Sequence, residues 1–289
     1  MKNKKLNLLK ALKFSKEIAF ESGKILERYQ KKIGSLTVNY KKAQGVCSEA
    51  DIMSEKYLIK RIKKEYPDHE ILAEETSFLN SDISKKDFDR FKKAEWCWVI
   101  DPLDGTNNFL NGLDYYSICI ALAHRGKVCM GLVYRPSNGD CYFAEENKKA
   151  GLANLKTLSR KKIIKRDDLL LKKGKKISDC LLVTGFSAKK GSSFKKEFEK
   201  FAYLLQKCRG IRRMGSAALD LCLVAEGKLD AFWEVGLSPW DVAAPSLICK
   251  QVGLFIGTYD GDYFDAFAKD SLLVTPHNLK KEFITYLSG

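Results

Sequence analysis

Apolar residues recur at spacings of three and four along residues 6–31 and again along 51–66, a period that predicts two amphipathic helices near the start of the chain. The pattern then changes to short apolar runs. Residues 70–73, 96–100, 117–123, 127–134 and 139–144 read as strands. Arg125-Gly126 and Pro136-Ser137-Asn138-Gly139 punctuate the last three runs, so these are expected to form an antiparallel meander. A charged stretch near 147–176 separates this half from the next. Beyond it a strand at 180–184, helices at 193–208 and 216–225, a strand at 229–233, a helix at 240–252 and a final helix at 278–287 alternate. Strands followed by alternating elements suit an α/β sandwich with helices laid on the sheet faces.

Composition narrows the class. The 289 residues suffice for one large domain spanning 1–289, built of two closely packed halves, 1–150 and 151–289. A hydrophobic fraction of 45% without low-complexity tracts predicts a globular protein. No run of eighteen apolar residues occurs, and Lys10, Lys13 and Lys16 interrupt the first helix, which therefore reads as neither a membrane span nor a signal peptide. A cytoplasmic location is expected. The nine cysteines are odd in number and lack zinc spacing. Several, such as Cys97, Cys119, Cys222 and Cys249, fall inside apolar runs, as reduced core residues do. The formal net charge of +15 is the one oddity. Much of the excess lies between Lys156 and Arg213, in runs such as Arg160-Lys161-Lys162, Lys172-Lys173, Lys175-Lys176 and Lys189-Lys190. A polyanionic partner such as nucleic acid would use such a surface, but the runs lack the interleaved aromatics of a single-strand-binding face, and the solvated face of a lysine-rich proteome is the favoured account.

The chemistry concentrates at Trp98-Val99-Ile100-Asp101-Pro102-Leu103-Asp104-Gly105-Thr106-Asn107-Asn108-Phe109. The run 96–100 reads as a buried strand ending at Asp101, and Pro102 is expected to force a turn that presents Asp101 and Asp104 together. The Leu103 carbonyl lies between them as a neutral ligand, and an oxygen-only donor set is the kind Mg²⁺ prefers. Gly105 would let a phosphate approach the backbone, and N–H groups opening a short helix at Thr106 would face that anion. Taken alone, Asp-Pro and Asp-Gly are ordinary turn dipeptides. Their meaning depends on further carboxylates with similar punctuation, which occur at Ala73-Glu74-Glu75-Thr76-Ser77 and Pro239-Trp240-Asp241-Val242-Ala243-Ala244.

These three segments, in this order, resemble the inositol monophosphatase family of Mg²⁺-dependent, lithium-sensitive phosphatases, and the likeness runs over nearly the whole chain. The resemblance implies a layered αβαβα sandwich, the sugar-phosphatase fold. It implies that Glu74, Asp101, the Leu103 carbonyl, Asp104 and Asp241 hold two or three Mg²⁺ ions. Thr106, with Glu74, would activate the attacking water, and Gly105 and Thr106 would receive the phosphate. Gly215-Ser216-Ala217 matches a substrate-contacting segment, and Glu234 the acid that binds a substrate hydroxyl. Lys41 and Asp51 match a flexible loop that helps hold an additional ion. The chain departs from the usual pattern at Gly45, Cys47, Ala73 and Pro245. The implied activity is hydrolysis of a small phosphate monoester, with myo-inositol 1-phosphate first. Fructose 1,6-bisphosphate, 3′-phosphoadenosine 5′-phosphate and histidinol phosphate are the alternatives. A homodimer is implied as well, and some bacterial relatives are associated with transcription complexes, which keeps RNA or transcription-complex binding open as a reading of another class. His69, His124 and His277 have no evident partners, which argues against a phosphohistidine route.

Overall fold

The computed structural model of the chain describes residues 6–40, 46–79, 85–157, 159–164, 176–186 and 192–288. Helices α1 (Leu8–Gln30) and α2 (Glu49–Glu65) flank a short antiparallel pair, β1 (Val38–Tyr40) and β2 (Val46–Ser48). Then come β3 (Glu70–Ala73), α3 (Glu74–Leu79), α4 (Lys85–Lys93), β4 (Trp96–Asp104) and α5 (Thr106–Leu110). Strands β5 (Ser117–His124), β6 (Lys127–Tyr134), β7 (Asp140–Glu145), β8 (Gly151–Asn154) and β9 (Ser159–Ile163) complete the first half. The second half runs β10 (Leu181–Thr184), α6 (Ser192–Lys207), β11 (Gly210–Arg212), α7 (Ala217–Glu226), β12 (Ala231–Val235), α8 (Pro239–Gln251), β13 (Phe255–Gly257), β14 (Ser271–Thr275) and α9 (Lys280–Leu287).

Two sheets result. The larger follows chain order from β3 to β9, and the smaller has the order β11-β10-β12-β14-β13. Alternation of apolar side chains across each sheet gives three separate cores, and these define the layers. Ala11, Leu12, Ile18, Ala19 and Leu26 of α1 join Leu58 and Ile62 of α2 against Trp98, Ile100, Ile120 and Leu132 on one face of the large sheet. The opposite face, through Val99, Ala121 and Val133, packs on α7 and α8, whose other side meets Val183, Phe232 and Val274 of the small sheet. Leu204, Phe283 and Leu287 of α6 and α9 close the far face over Leu182, Trp233 and Leu273. The order is helix, sheet, helix, sheet, helix, as expected.

The structure corrects two sequence expectations. The charged stretch after residue 147 is no plain separator: it carries β8 and β9, which extend the large sheet antiparallel from β7. Their short, polar runs give too few alternating apolar positions to register as strands. The small sheet also contains β11, β13 and β14, which the apolar pattern did not single out; β11 and β13 are three residues each, too short for a period to show. The cysteines are as expected, all free and all but Cys208 buried. Among the described residues no helix is long and apolar enough to cross a membrane.

Candidate functional site

The site begins with a parallel strand pair. β3 and β4 run side by side in register, Ala73 opposite Ile100. The next residue on each strand is an acid, Glu74 on one and Asp101 on the other, so two carboxylates leave the same sheet end on adjacent strands, which lie about 4.8 Å apart. An antiparallel pairing would have sent Glu74 to the far end. The expected turn at Pro102 is absent, because β4 continues to Asp104. Asp101 pairs with Cys119 and Asp104 with Ser117, so three steps on β4 oppose two on β5, a β-bulge of one residue. Pro102, with no N–H for a ladder, is tolerated at such an irregularity. Residues three apart on a regular strand face opposite ways; the extra residue turns Asp104 to the side of Asp101.

The second half of the chain supplies the rest of the carboxylate cluster. Asp241 stands in the first turn of α8, and ligand atoms of Asp101, Asp104 and Asp241 all lie within 4.8 Å of one another. Each carboxylate has one oxygen engaged by the protein. Leu103 N–H donates to Asp101 Oδ1 at 2.9 Å and Ser238 N–H to Asp241 Oδ2 at 2.7 Å. Asp104 Oδ2 accepts from Ser216 Oγ, from Ser117 Oγ at 3.2 Å and from the Ala218 N–H of the first turn of α7 at 3.0 Å. The remaining oxygens are left for a cation. Burial pushes all three carboxyls above the usual range, and the charge of Glu74 raises them further. At Asp241 the charge of Lys269 pulls the other way, less strongly than burial and the neighbouring acids push. Buried acids crowded together in this way fit a divalent cation with hard oxygen ligands.

Helix α2 organises the other side. Its buried stripe reads Ala50, Asp51, Ser54, Glu55, Leu58, Ile62, so three polar residues continue an apolar face. Asp51 lies in the first helical turn and is fully buried. Its Oδ2 accepts from Ser48 N–H at 2.8 Å, and its Oδ1 lies 3.0 Å from the Thr106 hydroxyl, which also reaches the Leu103 carbonyl at 3.1 Å. Burial raises the Asp51 carboxyl to about 6. Ser54 Oγ donates to the Pro102 carbonyl at 3.0 Å. Glu55 accepts from the N–H groups of Glu75 and Thr76, both at 2.7 Å, and from the Thr76 hydroxyl. Sequence reasoning missed Ser54 and Glu55, although polar residues at helical spacing on an apolar face were there to be read.

Two glycines let the halves meet. Gly105 has φ +93°, and a Cβ there would lie 3.1 Å from the Tyr115 carbonyl and 3.2 Å from that of Gly215. Gly215, at φ +87°, is pressed against Asn108, whose Nδ2 donates to the carbonyls of Tyr115 and Met214, each at 2.8 Å. The segment Gly215-Ser216-Ala217 is thereby fixed beside the Asp104 bulge. Asn108 was another omission of the sequence reading, despite its place within the motif. Glu234 on β12 is buried at 9% exposure, and its carboxylate lies where a Cβ on Gly185 would stand, 2.3 Å from Oε2. Burial and the nearby charges of Asp241 and Asp220 push it well up, against a smaller opposite pull from Arg213. Among the expected site positions Lys41 and Gly45 lie outside the described residues, as do Lys172, Lys173, Lys175, Lys189 and Lys190 of the basic runs. The histidines are elsewhere, among aromatic rings: His69, expected to have no partner, accepts from Trp98 Nε1 at 3.0 Å, and the ring of His124 lies tilted 4.4 Å from that of Trp96.

A sequence profile described as the inositol monophosphatase family matches residues 7–288. The chain belongs to that family. A Nus factor SuhB from Pasteurella multocida is 32% identical over 245 residues, 85% of this chain and 84% of its own. An inositol-1-monophosphatase from a Synechocystis species is 35% identical over 248 residues, 86% and 78% of the two chains. The inositol monophosphatase likeness holds in three dimensions. The SuhB structure from Bartonella henselae superposes with a TM-score of 0.79 at 27% identity, covering 96% of this chain and 98% of its own. An IMPase from Thermotoga maritima gives 0.78 at 26% identity, covering 96% and 97%.

Proposed function

We propose that this member of the family is an Mg²⁺-dependent phosphate monoester hydrolase that prefers myo-inositol 1-phosphate. The observation that carries the reading is the convergence of Asp101, Asp104 and Asp241, each with one oxygen tied back, beside a Thr106 hydroxyl directed at Asp51. In this reading Glu74, Asp101, Asp104, Asp241 and the Leu103 carbonyl hold the ions. Bound there, Mg²⁺ supplies positive charge to the phosphoryl oxygens and acidifies a water. The chain does the positioning. With its own proton directed at Asp51, the Thr106 oxygen keeps lone pairs with which to accept from a water and aim it at phosphorus. Asp51, buried and raised, is the group placed to take the hydroxyl's own proton as that hydroxyl accepts one from the water. Backbone N–H groups at Gly105 and Thr106 receive the phosphate, and Glu234, with the 215–217 segment, accepts from hydroxyls of the leaving polyol.

The test is phosphate release from inositol 1-phosphate with Mg²⁺, run against fructose 1,6-bisphosphate, 3′-phosphoadenosine 5′-phosphate and histidinol phosphate. Inositol 1-phosphate is expected to have the highest kcat/KM, and Asp101→Asn to lower it by about a thousandfold. A dominant nucleotide substrate, or full activity in Asp101→Asn, would overturn the reading.

A second reading has support from two observations: relatives at about 30% identity carry the name Nus factor SuhB, and the chain is strongly basic. It holds that a polyanion or transcription-complex surface is the principal function. Gel retardation of RNA that falls with salt and persists in Asp101→Asn supports that reading; no retardation at low salt removes RNA binding.

A further inference from the structure

Asp51, Ser54 and Glu55 lie at positions i, i+3 and i+4 of α2, on one face of the helix. Each touches a different part of the site: Asp51 meets Thr106, Ser54 the Pro102 carbonyl, and Glu55 the first turn of α3. The third contact is the consequential one. Glu74 is the first residue of α3, and the three donors that bind Glu55 belong to the next two residues, Glu75 and Thr76. A carboxylate from a neighbouring helix therefore satisfies the opening N–H groups of α3, groups that no residue within α3 can satisfy. Because α3 has six residues, it has too few intrahelical bonds to hold its own orientation.

We propose that Glu55 is a positioning residue that sets the Mg²⁺ affinity of the site by holding the first turn of α3, and with it Glu74, against the end of β4. The inference rests on the reading of Glu74 as a cation ligand. Two oxygens are needed, since Glu75 N–H goes to Oε2 and Thr76 N–H to Oε1. In Glu55→Gln one of these oxygens becomes an NH₂ group facing a backbone N–H, so one bond becomes a repulsion while size and packing are kept.

Isothermal titration of metal-free protein with MgCl₂ is the decisive measurement. Glu55→Gln is expected to bind Mg²⁺ about tenfold more weakly than the unaltered chain, the scale on which outer partners of metal ligands act. Thr76→Ala, which removes one donor to Glu55, is expected to show a smaller loss of the same sign. Hydrogen exchange at the Glu75 and Thr76 amides of the metal-free protein should quicken in Glu55→Gln. Leu58→Ala, one turn along α2 and fully buried, tests a merely structural role: its melting temperature should fall, with Mg²⁺ affinity unchanged. Wild-type affinity in Glu55→Gln, or an equal loss in Leu58→Ala, would overturn the assignment and leave the phosphatase reading standing. Should the unaltered chain bind no Mg²⁺, both fall together.

Discussion

Glu234 shows how a single residue can be kept at a cost. Its carboxylate is buried against Gly185, its ionisation opposed by Asp241 and Asp220. A buried acid so placed lowers stability unless it binds something. Replacing it with Ala removes that penalty along with the hydroxyl acceptor. Glu234→Ala is expected to raise KM for inositol 1-phosphate about tenfold, the worth of a hydrogen bond to a charged group. Hydrolysis of p-nitrophenyl phosphate, whose leaving group has no hydroxyl to recognise, should change less than about twofold. The melting temperature should stay level or rise; steady-state kinetics on both substrates and a thermal melt check the three together. Glu234 was legible in the sequence through its family motif. Gly185 was not, because nothing near it in the chain tells that a carboxylate forty-nine positions later will fill the space of its missing side chain.

At the scale of the element, the site is an assembly of ends. The parallel pairing of β3 with β4 ends just before Glu74 and Asp101, the bulge brings Asp104 round, α7 opens with an N–H directed at Asp104, and α8 carries Asp241 in its first turn. Ser216 joins two of these elements. Its Oγ caps α7 by accepting from Leu219 N–H at 3.4 Å, and it donates to Asp104 Oδ2. Ser216→Ala is therefore expected to cost about 1 kcal/mol of stability, the usual worth of an N-cap. It should also weaken Mg²⁺ binding by about tenfold, as loss of a partner that orients a ligand does. A denaturant midpoint and a calorimetric titration separate the two effects. Pro245 sits inside α8 four residues after Asp241, where it leaves the Asp241 carbonyl without its helical donor. The helices were legible from period and caps. The bulge was not, since it is a property of the pairing with Ser117 and Cys119 and has no signature within β4.

Over the whole molecule, the concentration of buried acids gives a pH dependence of definite sign. Asp51 is raised to about 6 and Asp220 to about 7, with Asp101, Asp104 and Asp241 also raised, chiefly by burial. Between the ordinary aspartate value near 3.9 and these raised values, the folded chain binds more protons than the unfolded one, so stability falls as pH rises. Metal-free protein is expected to lose melting temperature from about pH 4 to about pH 7, the window those shifts define. Added Mg²⁺ should restore it, increasingly so toward neutral pH, where the carboxylates are ionised and free to bind; melts across that range with and without Mg²⁺ check this. The family resemblance pointed to the acids at 74 and 241; by itself the sequence determined the local facts: helices from apolar period, strands from apolar runs, and a motif whose punctuation marked Asp101 to Thr106. Those follow from interactions between near neighbours, which leave a pattern in the chain. Only the tertiary structure decided that β3 runs parallel to β4, that a bulge turns Asp104 to the side of Asp101, and that α2 reaches across to hold α3 and Thr106. Such contacts join residues far apart in sequence, and the preference for them resides in the packing of whole layers.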